Sequence, residues 1–161
     1  MNAQYLAYQR NAVKGRVKNI LFPTDFTSYS FEAFALALQF AERLKANIHL
    51  YHAYHYAATG EFYIVPELIQ EIHTELKDQA LNEFQAYESK AREISKDPLN
   101  LSFRADADFA VEGILRTAEE VSADMIIMGT EGAENLLEKW FGSVSCQVVE
   151  RSKIPVMVIP K

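Results

Sequence analysis

Short apolar runs alternate with longer segments of helical periodicity along the chain from residue 18 onward. The apolar runs predict five strands, at residues 20–22, 47–53, 99–105, 125–128 and 155–160. Between them, apolar residues recur every three or four positions, most clearly after Pro66, as in helices that pack one face on a sheet. Strands that alternate with helices pair in parallel, with helices on both faces of the sheet. The pattern therefore predicts an α/β protein with a five-stranded parallel sheet and four helices.

Polar side chains mark the starts of two of these helices. Thr27, Ser28 and Ser30 follow the first strand and offer caps for the first helix, and Asp108 is predicted to cap the third. The fifth strand has a proline at each end, which favours an edge of the sheet over its centre. In parallel sheets of this kind, ligands bind beyond the carboxyl ends of the strands, where the strand order reverses.

The composition limits the class of protein. A chain of 161 residues, 49% apolar and 24% charged, suits one folded domain. We expect residues 1–17 to form a flexible extension and residues 18–161 to form the domain. The formal net charge of −6 disfavours partners such as nucleic acids and anionic membranes.

No segment of the sequence predicts export or membrane insertion. No apolar stretch reaches the ~18 residues of a membrane span, and residues 1–16 lack the apolar core of a signal peptide. The one cysteine, Cys146, cannot form an internal disulfide, which favours a reducing compartment. Because it lies in an apolar run, we predict a buried thiol rather than a nucleophile. The predicted location is the cytoplasm.

The loop after the fourth strand is the strongest candidate for a functional site. Gly129, Gly132 and Gly142 are three of the six glycines in the chain, and Ser143 follows the last of them. Glycine permits the close backbone approach that a phosphate-binding loop needs. Free amides at the start of the next helix, with the hydroxyls of Ser143 and Ser145, suit an anion. The alternative is that these glycines only shape a turn and begin a helix.

The glycine spacing in this loop carries a family resemblance. The pattern G-x2-G-x9-G-[S/T] resembles the nucleotide signature of the ATP-binding branch of the universal stress protein family, and Gly129, Gly132, Gly142 and Ser143 match it without a gap. Four further segments resemble that family, in the right order. They are Pro23-Thr24-Asp25, His52-Ala53, Met128-Gly129 and Ile154-Pro155-Val156. The resemblance covers residues 18–161.

The resemblance implies a fold and a ligand. It implies a sheet of order 3-2-1-4-5, similar to the adenine nucleotide α-hydrolases, with ATP across the ends of strands one and four and Mg²⁺ as an optional companion. It also implies a homodimer that pairs through the fifth strand. The nucleotide-contacting positions that it implies are Pro23, Thr24, Asp25, Ala53, Met128, Gly129, Gly132, Gly142, Ser143, Val144 and Ser145.

Each part of the nucleotide has an implied partner among these positions. The Asp25 carboxylate would contact the ribose, because a carboxylate accepts hydrogen bonds from hydroxyl groups. Ala53 would lie at the adenine and contribute its backbone. The first two motif glycines would pass close to the ribose and the phosphates. The last motif glycine, with Ser143 and Ser145, would hold the phosphates.

One departure from the family pattern keeps alternatives open. Glu131 lies between the first two motif glycines, where the family often has a basic or neutral polar residue, and Glu134 follows it. Carboxylates beside a triphosphate oppose its binding. The first hypothesis is a nucleotide-binding sensor or signalling module in the stress response, not an enzyme. A slow ATPase or phosphotransfer enzyme and a nucleotide-free dimeric interaction module are the alternatives.

Other clusters of reactive side chains give weaker predictions. His49, His52 and His55 recur every third residue, but neighbouring strand positions face opposite sides, so we predict no metal site there. His52 is instead predicted to have a hydrogen-bonding partner. Asp106 and Asp108 follow the third strand without the lysine that an acidic receiver pocket requires. No Ser/His/Asp or Cys/His arrangement predicts a catalytic residue.

Overall fold

The computed structural model of the chain describes residues 16–54, 66–95, 100–130 and 143–160. Within these ranges the chain forms five strands and four helices. In chain order they are β1 (Asn19–Pro23), α1 (Ser28–Leu44), β2 (Asn47–Tyr54), α2 (Pro66–Ile94), β3 (Leu101–Ala107), α3 (Ala110–Glu120), β4 (Met125–Gly129), α4 (Ser143–Arg151) and β5 (Val156–Ile159). All strand pairs are parallel and the order is β3-β2-β1-β4-β5, which confirms the predicted sheet.

Two hydrophobic cores lie on the two faces of this sheet. Leu21 and Phe22 are neighbours in β1, are both fully buried and enter different cores, as alternate strand positions must. The first core joins the sheet to α1 and α2, and the second joins it to α3 and α4. Helices on both faces bury residues 20–23 of β1 and 126–128 of β4, which explains why these stretches are continuously apolar. Among the described residues, no helix has the length and apolar character to cross a membrane.

The starts of α1 and α3 differ in how they are capped. Thr27 is the N-cap of α1 and its hydroxyl accepts a hydrogen bond from the Ser30 amide at 3.2 Å, as predicted. The predicted cap of α3 by Asp108 is wrong: Phe109 takes the N-cap position, without a side-chain bond. Asp108 instead pairs with Arg116, two turns along the helix, and its other oxygen accepts the Phe109 amide at 2.7 Å.

Two further predictions differ from the structure. The third strand begins at Leu101 and ends at Ala107, later than predicted, because β2 extends to Tyr54 and pairs with β3 over that whole length. Cys146 is exposed, not buried. In α4 the inward positions are Ser145 and Val148, and the apolar run that contains Cys146 is a helix with only one buried side.

The crossing of α3 over β2 is unusually close at Gly113. A Cβ atom at this position would lie 1.9 Å from the hydroxyl oxygen of Tyr51. Tyr51 is 1% exposed, and neither its hydroxyl nor that of Thr117, one turn farther along α3, has a hydrogen-bond partner among the described residues. Burial, and then the negative charges of Asp106 and Asp108, raise the pKa of Tyr51 to about 12.

At the amino edge of the sheet, the start of β1 is bonded to the turn that precedes β4. The Asp124 carboxylate, in the turn before β4, accepts hydrogen bonds from the backbone amides of Lys18 at 2.7 Å and Asn19 at 2.9 Å. The Asp124 amide in turn donates to the Asn19 carbonyl at 2.8 Å. These bonds fasten the start of β1 to the start of β4.

Candidate functional site

The carboxyl ends of β1 and β2 lie side by side. Pro23 pairs with Tyr51 in the register of the two strands, and the Thr24 amide donates to the Tyr51 carbonyl at 2.9 Å. Asp25 follows the end of β1 by two residues, and Ala53 lies two residues after Tyr51 in β2. The residues predicted to contact ribose and adenine therefore both lie at the carboxyl edge of the sheet.

The end of β4 reaches the same edge from the other side. Leu21 of β1 pairs with Ile126 of β4, so the chain after Ile126 runs alongside the end of β1. Gly129 lies against the first turn of α1, where a Cβ at 129 would meet the Cβ of Ala33 at 3.5 Å and the Ser30 Cα at 4.0 Å. These are ordinary van der Waals distances, and the φ angle of Gly129 lies outside the left-handed region that favours glycine. The packing of the described residues therefore does not itself require a glycine here, in contrast to Gly113.

Thr24 is held at this edge by several hydrogen bonds. Its side chain is buried, and its Oγ1 accepts hydrogen bonds from the Ser30 hydroxyl at 2.9 Å and the Phe26 amide at 3.0 Å. The Tyr87 hydroxyl, from α2, lies 2.6 Å from the same Oγ1. His52 Nδ1 lies 2.8 Å from the Thr24 carbonyl oxygen, and because a carbonyl only accepts, Nδ1 carries the proton. We call these contacts from Ser30, His52 and Tyr87 the Thr24 anchor.

Asp25 is exposed but partly fixed. Its Oδ1 accepts hydrogen bonds from the Thr27 amide at 3.0 Å and the Thr27 hydroxyl at 2.7 Å. Its Oδ2 has no hydrogen-bond partner within the described part of the chain. Asp25 therefore presents one oriented carboxylate oxygen at the carboxyl edge of the sheet, which can accept a bond from a hydroxyl group.

Phe26 shapes the turn that carries Asp25. Its φ is 63°, in the left-handed region that a phenylalanine seldom adopts. Its ring packs on His52 with 4.3 Å between ring centroids, and meets Phe84 at 5.2 Å and Tyr87 at 6.0 Å. Packing among these rings offsets the backbone strain and holds the turn against β2 and α2.

The start of α4 lies on the α3 side of this edge. Ser145 is 2% exposed, Ser143 is exposed, and Val144 packs against the second core. Met128 belongs to that core and Ala53 packs against it, so the three segments share one face of the sheet. Gly132 and Gly142, with Glu131 and Glu134, lie outside the described residues, and the predictions about them stay predictions.

Burial sets the protonation of the ionisable groups around Thr24. Desolvation lowers the pKa of His52, although the bond to the Thr24 carbonyl and the charge of Asp25 act in the opposite direction. Desolvation also raises the pKa of Tyr87, against the bonds from Thr24 and Ser30. The Thr24 anchor is thus made of uncharged groups at neutral pH.

A cluster of ion pairs lies at the end of β3, beside Ala53. Asp106 is the register partner of Ala53 and accepts bonds from Arg104 Nε at 2.6 Å and from Arg116 at 3.0 Å. Arg116 also pairs with Asp108. Asp106, near the end of β3, and Asp108, just after it, are therefore each paired with an arginine, which the sequence did not reveal as their partner.

The structure brings together the nine predicted site residues that it describes. Those on one edge are Pro23, Thr24, Asp25, Ala53, Met128 and Gly129, with Ser143, Val144 and Ser145 at the start of α4. Sequence reasoning missed Tyr87, which lies in the row of apolar residues along the buried side of α2. A tyrosine in such a stripe is itself a signal, because its buried hydroxyl needs a polar partner.

A parallel sheet of this order, with a carboxylate after β1 and a glycine at the end of β4, is typical of α/β proteins that bind a ligand beyond the carboxyl ends of their strands. The sequence model of the Universal stress protein family matches residues 16–160. The chain is 28% identical over 157 residues to universal stress protein MJ0577 of Methanocaldococcus jannaschii, covering 89% of this chain and 95% of that protein. The chain belongs to the universal stress protein family, which confirms the resemblance seen in its sequence.

Solved structures share this fold. A universal stress protein in complex with cAMP has a TM-score of 0.64 at 20% identity, covering 90% of this chain and 98% of that one. A universal stress protein from Archaeoglobus fulgidus in complex with dAMP has a TM-score of 0.60 at 18% identity, covering 91% of this chain and 100% of that one. Proteins of this fold are thus known with adenine nucleotides bound.

Proposed function

We propose that this protein binds an adenine nucleotide, ATP, at the carboxyl edge of β1 and β4 and acts as a sensor or signalling module in the stress response. The observation that carries the proposal is Asp25, whose Oδ1 is fixed by Thr27 while its Oδ2 stays available at that edge. Gly129 supports it, because the packing of the described residues leaves room for a side chain that the sequence does not supply. The cAMP and dAMP complexes of proteins with this fold support the same ligand class.

The proposed roles follow the parts of the ligand. The ribose hydroxyls donate to Asp25, and the adenine lies against the backbone at Ala53. Gly129 and Gly132 pass beside the ribose and the phosphates. Gly142, Ser143 and Ser145 hold the phosphates with amides and hydroxyls at the positive end of α4. Mg²⁺ would enter on the phosphates of the nucleotide.

We favour binding over turnover. The imidazole described at this edge, His52, already uses Nδ1 for the Thr24 carbonyl and packs its ring on Phe26. Asp25 is engaged with Thr27, as an orienting carboxylate would be. A single-turnover incubation with labelled ATP tests this preference. If the wild type converts ATP to a labelled product and the Asp25→Ala variant does not, the protein is an enzyme.

Calorimetric titration of the full chain with Mg-ATP tests the proposed function. We expect binding by the wild type and a loss of about 10- to 100-fold with Asp25→Ala, because hydrogen bonds to charged groups contribute ~1.5–3 kcal/mol. Asp78→Ala is the matched control, since Asp78 is an exposed carboxylate on α2. Absence of binding by the wild type would refute the function. Equal affinities of wild type and Asp25→Ala would remove Asp25 from the site.

We also propose a homodimer through β5 and a location in the cytoplasm. In the described chain β5 pairs with β4 alone, and all four of its residues are half-buried. A short apolar edge strand gains free energy by pairing with a second copy of itself.

A further inference from the structure

We propose that Tyr87 and His52 are positioning residues that give the nucleotide site its selectivity for ribose. Neither residue needs to touch the ligand. They act by fixing Thr24, and through Thr24 the backbone that presents Asp25. The inference rests on the proposed function and adds to it the residues that determine which sugar is preferred.

Three elements converge on one buried threonine. Tyr87 reaches Thr24 Oγ1 from α2 at 2.6 Å, and Ser30 reaches it from the first turn of α1 at 2.9 Å. His52 holds the Thr24 carbonyl from β2 at 2.8 Å. Side chain and main chain of Thr24 are thus held from independent directions, in a place that water hardly reaches.

The constraint passes from Thr24 to Asp25 along the backbone. The Phe26 amide, which follows Asp25, donates back to Thr24 Oγ1 at 3.0 Å. The strained φ of 63° at Phe26 persists because its ring is held against His52 and Tyr87. With Oδ1 tied to Thr27, the backbone position of Asp25 decides where Oδ2 points. A displaced Thr24 would therefore misplace the oxygen that meets the ribose, and leave the phosphate end of the site unchanged.

The test compares ATP with 2′,3′-dideoxy-ATP, which lacks the hydroxyls that Asp25 would accept. We expect the wild type to bind ATP about tenfold or more tightly than the dideoxy analogue. Tyr87→Phe removes only a hydroxyl and keeps the ring contacts. It should weaken ATP binding about three- to tenfold and change the dideoxy affinity less than about twofold. Tyr51→Phe is the matched control, because it removes a buried hydroxyl on the other face of the sheet and should change neither affinity.

A second arm uses His52. His52→Asn keeps an N–H donor near the position of Nδ1, and His52→Leu removes it. We expect His52→Leu to lower the ratio of ATP to dideoxy-ATP affinity as Tyr87→Phe does, and His52→Asn to restore part of it. In an Asp25→Ala background, Tyr87→Phe should have no further effect on ATP binding, since the group that it positions is gone.

The possible results separate the two proposals. If wild type binds neither nucleotide, the proposed function fails and the inference fails with it. If wild type binds ATP but Tyr87→Phe leaves the affinity ratio unchanged, the inference is wrong and the function stands. Equal weakening of both nucleotides would show a general loosening of the site and would also overturn the inference. If circular dichroism shows that the Tyr87→Phe variant is unfolded, the ratio of ATP to dideoxy-ATP affinity in the two His52 variants tests the inference instead.

Discussion

Replacing Gly113 by alanine should destabilise the protein, although alanine is the better helix former. In a free helix this change would gain about 1 kcal/mol. Here the new Cβ would lie 1.9 Å from the Tyr51 hydroxyl oxygen and 2.8 Å from the ring carbon that carries it. The ring is 1% exposed and enclosed between β2 and α3, so α3 must move away from the sheet or Tyr51 must leave its rotamer.

The expected loss of stability is the difference between the cost of the steric clash and the gain in helix propensity. Overpacking a rigid core costs about 1–3 kcal/mol, and a contact this short belongs at the upper end or beyond. When the gain in helix propensity is subtracted from this cost, Gly113→Ala should lower the free energy of unfolding by about 2 kcal/mol. For a chain of this length the midpoint of thermal unfolding should fall by roughly 4–8 °C.

A double-mutant cycle assigns the effect to Tyr51. Tyr51→Phe alone should be neutral or stabilise by up to about 1 kcal/mol, because the hydroxyl that it removes is buried without a partner. In the Tyr51→Phe background the shortest contact of a Cβ at 113 becomes the 2.8 Å one, so Gly113→Ala should destabilise less. We expect a coupling energy of about 1 kcal/mol from urea unfolding.

Two results would refute this reasoning. If Gly113→Ala stabilises the protein by its helix propensity, the close crossing of α3 over β2 is wrong. If the cost is the same in both backgrounds, another group bears the clash. A clear loss of stability in Tyr51→Phe alone would show that the hydroxyl has a partner, such as a buried water molecule.

Three further predictions concern pH, assembly and the loop. Stability should fall as the pH drops below about 6.5, because burial lowers the pKa of His49 and His52 in the folded state and the unfolded chain therefore takes up protons first. Urea unfolding at several pH values should show a free energy of unfolding that depends less on pH when both histidines are replaced by Gln. Light scattering after size exclusion should give twice 18.3 kDa, and the monomer mass with Val158→Asp on β5; a monomeric wild type would contradict the dimer. Glu131→Lys should tighten binding of ATP more than of adenosine, with a gain that shrinks as salt rises; equal shifts for both ligands would place this carboxylate away from the phosphates.

The sequence predicted the fold well because burial leaves a periodic trace. The alternation of Leu21 and Phe22 between two cores, and the stripe from Ala80 to Ala91 on α2, are visible as patterns of apolar residues. The cap at Thr27 was predictable for a similar reason, since the helix leaves its first amides unpaired. Such features depend on residues that are near each other in the chain.

The predictions that failed depend on contacts made elsewhere. Asp108 has the right chemistry for a cap, but Arg116 supplies a charged partner that a cap cannot match. Cys146 lies in an apolar run whose buried side is decided by how α4 meets the sheet. The bond between Tyr87 and Thr24 joins residues 63 positions apart, and no local pattern identifies Thr24 as the partner of the tyrosine hydroxyl. The sequence therefore predicted residues that lie together at the carboxyl edge of the sheet, and their contacts with a ligand stay predictions. It missed Tyr87, which holds Thr24 in place.

The bonds from Asp124 to Lys18 and Asn19 have a consequence for the order in which the protein is made. They join residues that are 106 and 105 positions apart in the chain. The strand that pairs with the other edge of β1, β4, is therefore synthesised long after β1. A chain emerging from the ribosome can pair β1 with β2 early, but the other edge of β1 and the buried side of Leu21 must wait until about residue 129 is available. Until then β1, the central strand of the finished sheet, has one unpaired apolar edge, and such an edge readily pairs with another chain. A nascent chain stalled between α2 and β4 should therefore be the form of this protein that most needs a chaperone.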